Sequence, residues 1–253
     1  APAPPDFTVS LDRGNEWLAR IVDLVAAAHE RWGSSVAIAT PELGGIMDVL
    51  EVVYGADRLI YNLIDYPTEM QRVAGEIEAV WHEIYDLVDE ARGGGVGGYT
   101  DFSGIWCSRR SYSLYSDFSA LLSPDLFNAF VAPELERSAA RLHRSIYHLD
   151  GPDQTRHLDR LLAMERVDAI QWVPGAGAAP AEEWIELYRR IRGGGKLCQV
   201  LAFGPWRRLF DLASIIESEL GVLDGFQLLG GWAPDAEAAH EALAEIGVPP
   251  AGG

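Results

Sequence analysis

The sequence predicts an α/β fold with a parallel sheet, and three observations predict it. Short β-branched or aromatic runs alternate with helical patterns through the second half of the chain, the pattern of βαβ units. Two of those runs, Ser145-Ile146-Tyr147-His148-Leu149-Asp150-Gly151 and Ala169-Ile170-Gln171-Trp172-Val173-Pro174-Gly175, break near glycine and deliver polar side chains where the strand should end. The length of 253 residues suits a single domain, 1–253, with a sizeable core, and matches the typical size of a (β/α)8 TIM barrel. Right-handed crossovers would close these strands into a barrel or wind them as an open sheet.

The elements follow in order. Ala1-Pro2-Ala3-Pro4-Pro5 opens the chain without a methionine, which reads as a processed, excised or incomplete product, and residues 1–15 read as an extended arm. Glu16 to Trp32 carries Trp17, Ile21, Leu24, Val25 and Ala28 at helical spacing. Val36 to Thr40 reads as a strand. Pro67 to Arg92 begins with proline in its first turn and continues Met70, Val73, Ile77, Val80, Ile84, Leu87 and Val88. Trp17, Trp81 and Tyr85 on these helices read as core. Tyr99 to Ser111 is irregular, aromatic and polar, an insertion over the mouth of a barrel. Ser113 to Asp117 is the next strand, and Ser123-Pro124 opens a helix with Leu126, Phe127 and Phe130 on one face. Strands then read at Ile146 to Leu149, Ala169 to Val173, Leu197 to Ala202 and Phe226 to Leu229. Helices alternate with them at Asp153 to Met164, Pro180 to Ile191, Trp206 to Leu220 and Pro234 to Ile246. The count of six or seven strands is one or two short of eight. Gly93-Gly94-Gly95-Val96-Gly97-Gly98 and Gly193-Gly194-Gly195 each follow a helical pattern and read as αβ turns, since neither has the context of a phosphate-binding loop.

Composition narrows the partners. A net charge of −18 argues against nucleic acid, whose phosphates call for lysine and arginine patches. No run of about 18 apolar residues predicts a membrane span, and no signal region is visible. Cys107 and Cys198 lack ligand spacing and read as buried or free thiols of a cytoplasmic protein.

Several strand ends carry functional groups: Glu42 after Pro41, Tyr115 and Asp117, His148 with Asp150, Gln171 with Trp172, and Gln199 with Cys198. Alternate residues of a strand share a face, so His148 and Asp150 point the same way. A histidine beside a carboxylate serves as a metal-ligand pair or an oriented general acid/base. A hydrogen-bonded His148 with Asp150 capping the turn at Gly151 is the better account of one such strand end taken alone. Four together favour a site. Arg109 and Arg110, with Trp106 and Cys107, line a substrate pocket or are simply solvated. His157 reads as a surface or packing residue; His29, His82, His143 and His240 fall on helical patterns as structural residues.

The block Asp117-Phe118-Ser119-Ala120-Leu121-Leu122-Ser123-Pro124-Asp125-Leu126-Phe127, with Phe130-Val131-Ala132-Pro133, resembles the uroporphyrinogen decarboxylase superfamily, which includes corrinoid-dependent methyltransferases. Tyr147-His148-Leu149-Asp150-Gly151 resembles its next strand end, and Leu229-Gly230-Gly231-Trp232-Ala233 its closing segment; the resemblance runs from about Thr40 to Ile246. It implies a (β/α)8 barrel, here without its amino-terminal strand, and a site at the strand carboxyl ends. The departures bear on function. The arginine-bearing segment with which the decarboxylases grip their substrate is missing, and Arg13, Arg20 and Arg31 stand in unrelated contexts. The zinc-dependent methyltransferases carry His-x-Cys where this chain has His148-Leu149-Asp150, and Phe226 to Ala233 holds no second cysteine. Zinc accepts carboxylate as well as imidazole.

The expectations are therefore threefold. The first is a methyltransferase working with a corrinoid protein or a small methylated substrate. In it His148 and Asp150 hold zinc, His148, Asp150, Asp117 and Gln171 are catalytic, and Glu42, Tyr115, Trp172 and Arg109 line the substrate pocket. The second is a decarboxylase of a porphyrinogen or smaller carboxylated substrate, in which Asp117 or Asp150 stabilises the protonated intermediate. The third is a non-catalytic ligand-binding barrel. A homodimer is compatible with each.

Overall fold

A computed structural model of the chain describes residues 7–248. They form two compact units, one of residues 7–148 and 153–168, the other of 149–152 and 169–248. The first contains helices α1 (Glu16–Trp32), α2 (Ile46–Tyr54), α3 (Ala56–Asp65) and α4 (Pro67–Ala91), then strand β1 (Ser111–Tyr115) and a 3₁₀ turn, Asp117–Leu121. A helical run follows: α5 (Pro124–Leu126), the π-helical turn Phe127–Val131 and α6 (Ala132–Ala140). Strand β2 (Arg144–Asp150) comes next, its last two residues counted with the second unit, and the first unit ends with the rest of the 3₁₀ turn Pro152–His157 and α7 (Leu158–Leu162). The second unit alternates β3 (Ala169–Val173), a 3₁₀ turn at Ala181–Glu183, α8 (Ile185–Gly193), β4 (Leu197–Pro205), α9 (Arg207–Leu220), β5 (Phe226–Trp232) and α10 (Ala236–Glu245). The sheet order is β1-β2-β3-β4-β5; β1 pairs with β2, β3 with β4 and β4 with β5, all parallel. This is the expected parallel α/β sheet.

Local chemistry explains the elements that position the site. Asn15 caps α1 by accepting the N–H groups of Trp17 and Leu18, and Pro67 starts α4 at a position where a missing N–H costs nothing. The apolar stripe of α4, Met70, Val73, Ile77, Trp81, Tyr85 and Val88, is buried throughout. Trp81 stacks on Tyr85 at 5.6 Å, and both meet Tyr112 of β1 edge-on, at 5.1 and 5.8 Å. Such pairs each add about 0.5–1.5 kcal/mol beyond burial. The Tyr85 hydroxyl donates to the Ser111 carbonyl at 2.9 Å, which fixes the start of β1 against the helix. Between α5 and α6 the helix widens to π geometry just before Pro133, which has no N–H to continue the α ladder.

The differences from the sequence reading have physical causes. Val36 to Thr40 is no strand: its ladder is limited to the Thr40 N–H bonding the Thr100 carbonyl at 2.8 Å, and Pro41 follows. Five strands therefore stand among the described residues where six were named. Residues 46–65, left unassigned, form α2 and α3, which meet at Gly55 with φ +76°. The segment 153–164 is mainly a 3₁₀ turn followed by five α-helical residues. Trp17 is not core; it is 64% exposed in the first turn of α1, with the Arg20 guanidinium over its ring at 4.8 Å. Residues 1–6 of the expected arm lie outside the described residues; Val9 and Phe7 lie along α4, the Val9 N–H donating to Glu76 and Arg72 donating to the Phe7 carbonyl. No helix among the described residues is long and apolar enough to cross a membrane.

Candidate functional site

The carboxyl ends of β1 and β2 carry most of the chemistry expected from sequence. Tyr115 and His148 are register partners, so they lie side by side where the two strands end. Asp150 follows His148 on the same face of β2, and Asp117 opens the 3₁₀ turn two residues after Tyr115. Asp117, His148 and Asp150 each offer one ligand atom, and these atoms all lie within 4.8 Å of one another. Oδ1 of Asp150 is buried and has no hydrogen-bond partner among the described residues.

The surroundings of His148 are aromatic. Phe102 meets its ring edge-on at 5.8 Å and Tyr115 does so at 6.0 Å, while Phe102 and Tyr115 are themselves perpendicular at 5.8 Å. The Tyr115 hydroxyl donates to Glu42 Oε1 at 2.8 Å. Burial, and the carboxylate it donates to, hold that phenol above its ordinary pKa. Tyr115 is therefore a neutral donor that fixes Glu42. Phe102 reaches this place because the irregular segment is tied to β1. The buried carboxylate of Asp101 accepts both the N–H and the hydroxyl of Ser113, and Tyr99 bridges Cys107 in antiparallel fashion.

Asp48 belongs to the same end of β1 and was not singled out in the sequence. It sits in the first turn of α2, where Oδ1 accepts the Phe118 N–H at 2.7 Å and Oδ2 is buried without a partner among the described residues. Burial and the charge of Asp117 raise its carboxyl to about 6, against the opposing pull of the Phe118 N–H. Gly45 makes room for it, since a Cβ there would lie 2.2 Å from Oδ2. The available signal was a single acid inside the apolar run Ile46-Met47-Asp48-Val49-Leu50.

Three other expected residues are placed differently. Arg109 is exposed and precedes β1, at the opposite end of that strand from Tyr115 and Asp117, so a pocket at the carboxyl ends does not contain it. Trp172 is fully buried with its ring 4.7 Å from Trp184; one residue from Gln171, it takes the other face of β3 and packs as core instead of lining a pocket. Gln171 is buried in an amide ladder: it donates to Gln199, and Gln199 donates to Gln227 at 2.7 Å, across register-matched positions of β3, β4 and β5. Among the remaining histidines, His82 bonds the Ser138 hydroxyl at 3.2 Å. His157 packs flat on Phe127 at 4.2 Å, with Nε2 2.9 Å from the Ser119 carbonyl. Both are packing residues.

The second unit contains a cavity of about 480 Å³ at the carboxyl ends of β3 and β4. Its walls are nearly all apolar, and its one charged lining residue, Arg208, is bound to Glu182 through two hydrogen bonds of 2.7 and 2.8 Å.

One imidazole and two carboxylates, one of them with an unpaired buried oxygen, make a nitrogen–oxygen donor set suited to zinc and its first-row neighbours. The thiolates of a sulfur-rich centre are absent from it: Cys198 is buried in β4, and Cys107 lies in the segment before β1.

No family model matches the sequence, and no curated protein matches it. Among solved structures, the chain is similar to a methyltransferase from Methanosarcina mazei, with TM-score 0.59 and 14% sequence identity. The match covers 89% of this chain and 64% of that one, so this chain spans about two thirds of the neighbour's length. At that identity the likeness is one of fold.

Proposed function

We propose that this chain is a methyltransferase-type enzyme built on a (β/α)8-barrel scaffold of the uroporphyrinogen decarboxylase superfamily. It would act on a small methylated substrate or a methylated corrinoid at the carboxyl ends of its strands. The observation that carries the proposal is the convergence of Asp117, His148 and Asp150, whose ligand atoms lie within 4.8 Å of one another at the end of β1 and β2. The fold likeness to a methyltransferase supports it. In this reading the three side chains hold a divalent metal, zinc by preference of the donor set. When bound, such an ion acts as a Lewis acid that favours the deprotonated form of an acceptor.

The chain's own residues do the rest. Tyr115, kept neutral, holds Glu42 in place, and Phe102 and Tyr115 wall the imidazole of His148 so that its ring orientation is fixed. Asp48 accepts the Phe118 N–H and thereby sets the turn that presents Asp117. Fixed ligands of this kind are what give a metal site its affinity. Gln171 contributes through the amide ladder, which holds β3 against β4.

Metal uptake tests the proposal. The purified chain titrated with zinc should take up about one equivalent, and His148→Ala should weaken that uptake at least about tenfold. Wild-type protein that retains less than about 0.1 equivalents after zinc addition and desalting would sink the metal-dependent reading. Incubating zinc-loaded protein with methylcobalamin and a thiol, and following loss of the methyl–cobalt absorbance, then tests methyl transfer itself.

A further inference from the structure

The cavity in the second unit has an unusual charge balance for a pocket that holds an arginine. Val173 and Pro174 from the end of β3, Leu201, Ala202 and Phe203 from β4, and an alanine- and glycine-rich loop surround about 480 Å³, within the range of small-molecule sites. Arg208 supplies the one ionisable side chain among its lining residues. That guanidinium is already engaged on three sides: Nε and Nη2 donate to the two oxygens of Glu182, and Nη1 donates to the Phe203 carbonyl at 2.7 Å. A bidentate pair of this geometry cancels the charge and uses the face with which arginine would grip a carboxylate or phosphate. The Phe203 ring stands 67% exposed, a flat apolar surface with no partner ring among the described aromatic pairs. Gly175 on the cavity wall stands against Asp150, since a Cβ there would lie 3.9 Å from its unpaired Oδ1.

From this we infer that the cavity is a binding site for a small, uncharged, largely apolar molecule, and that Glu182 sets this preference by locking Arg208. An anion entering it would lose its hydration and find the guanidinium occupied, with a carboxylate beside it. An uncharged planar compound loses little water, gains the apolar walls and stacks on Phe203. The inference rests on the proposed function only in naming the substrate: if the chain transfers methyl groups, the methyl donor or acceptor bound in this unit is an uncharged apolar compound, not a carboxylated one.

Benzamide, benzoate and benzamidine share size and planarity and differ in charge, so they test the preference directly. Their binding to the metal-free chain, followed by saturation-transfer NMR, should show benzamide at least tenfold tighter than benzoate. Ala176→Phe, a change on the exposed loop of the cavity wall, should abolish benzamide binding without altering the circular dichroism spectrum. Glu182→Gln frees Arg208 and should raise benzoate affinity at least tenfold while leaving benzamide within threefold. Benzoate binding as tightly as benzamide to wild-type protein overturns the inference. So does a tenfold preference for benzamidine, or a Glu182→Gln variant with unchanged benzoate affinity. Because these readings need neither metal nor turnover, the site and the methyltransferase reading stand or fall separately. Benzamide binding with no methyl transfer removes only the latter, and methyl transfer confined to carboxylated substrates removes only the former.

Discussion

Acid unfolding of this protein should be driven in part by His82. Its ring lies on α4, 2% exposed, edge-on to Trp81 at 5.0 Å, with the Ser138 hydroxyl 3.2 Å from Nε2. Burial above all, and then the charges of Arg141 and Arg110, lower its pKa from 6.5 to about 4, with Asp86 opposing. The folded protein therefore binds this proton more weakly than the unfolded chain does. The stability that follows is fully present above pH 6.5 and is lost as pH falls through about 4. At about 1.4 kcal/mol per pH unit, the drop is worth up to about 3 kcal/mol. His82→Gln retains a polar group for Ser138 and cannot take up the proton. Urea unfolding at a series of pH values from 7.5 to 4, with a chelator present, should show the variant losing about 2–3 kcal/mol less than wild type over that range. Wild-type and variant curves that stay parallel from pH 7.5 to 4 would refute the reasoning, because the histidine would then have the same proton affinity in both states.

Other consequences are quickly checked. Arg109→Ala should leave zinc uptake unchanged and stability within about 0.5 kcal/mol, because the side chain is exposed at the amino end of β1; isothermal titration and urea unfolding read both. Ellman's reagent at pH 8 should modify one thiol per native chain, the half-buried Cys107, and a second only after denaturation. Cys198 is buried in β4 with its thiol pushed up to about 12. Trp172→Ala should cost about 3–5 kcal/mol in chemical denaturation, since the ring is fully buried against Trp184. A loss under about 1 kcal/mol would mean that the ring is not part of the packed core.

The second half of the chain was legible because its strands and helices are local and strongly patterned. Strands β2 to β5 fall where alternation and glycine breaks place them, and α9 and α10 lie within the helical windows. Val36 to Thr40 misled because a β-branched composition says nothing about whether a partner strand is present, and that is a long-range property. Helices α2 and α3 were missed because Gly44, Gly45 and Gly55 interrupt a short apolar run that looks the same as a loop. At the site, strand periodicity accounts for His148 and Asp150 sharing a face of β2 and for Tyr115 standing beside His148, whereas Glu42 reaches Tyr115 from a segment that is no strand. Asp48 was not legible, since its importance comes from packing its carboxylate against the Phe118 N–H, 70 residues away. Arg109 and Trp172 show the limits of adjacency. Arg109 stands next to β1 but at the wrong end of it, and Trp172, next to Gln171 on β3, takes the opposite face.

The glutamine ladder has a consequence for how the second unit tolerates change. Gln171, Gln199 and Gln227 recur at intervals of 28 residues, and strand register sets each amide on the same rung as the next. Between rungs, the turns on either side of α8 and α9 lie outside the count that matters to pairing. Additions there lengthen a loop and leave the rungs opposed. A single residue gained or lost inside β4 would instead turn Gln199 to the other face and break both of its rungs at once. Natural variation in chain length should therefore collect in the crossovers, and the strands should keep their count.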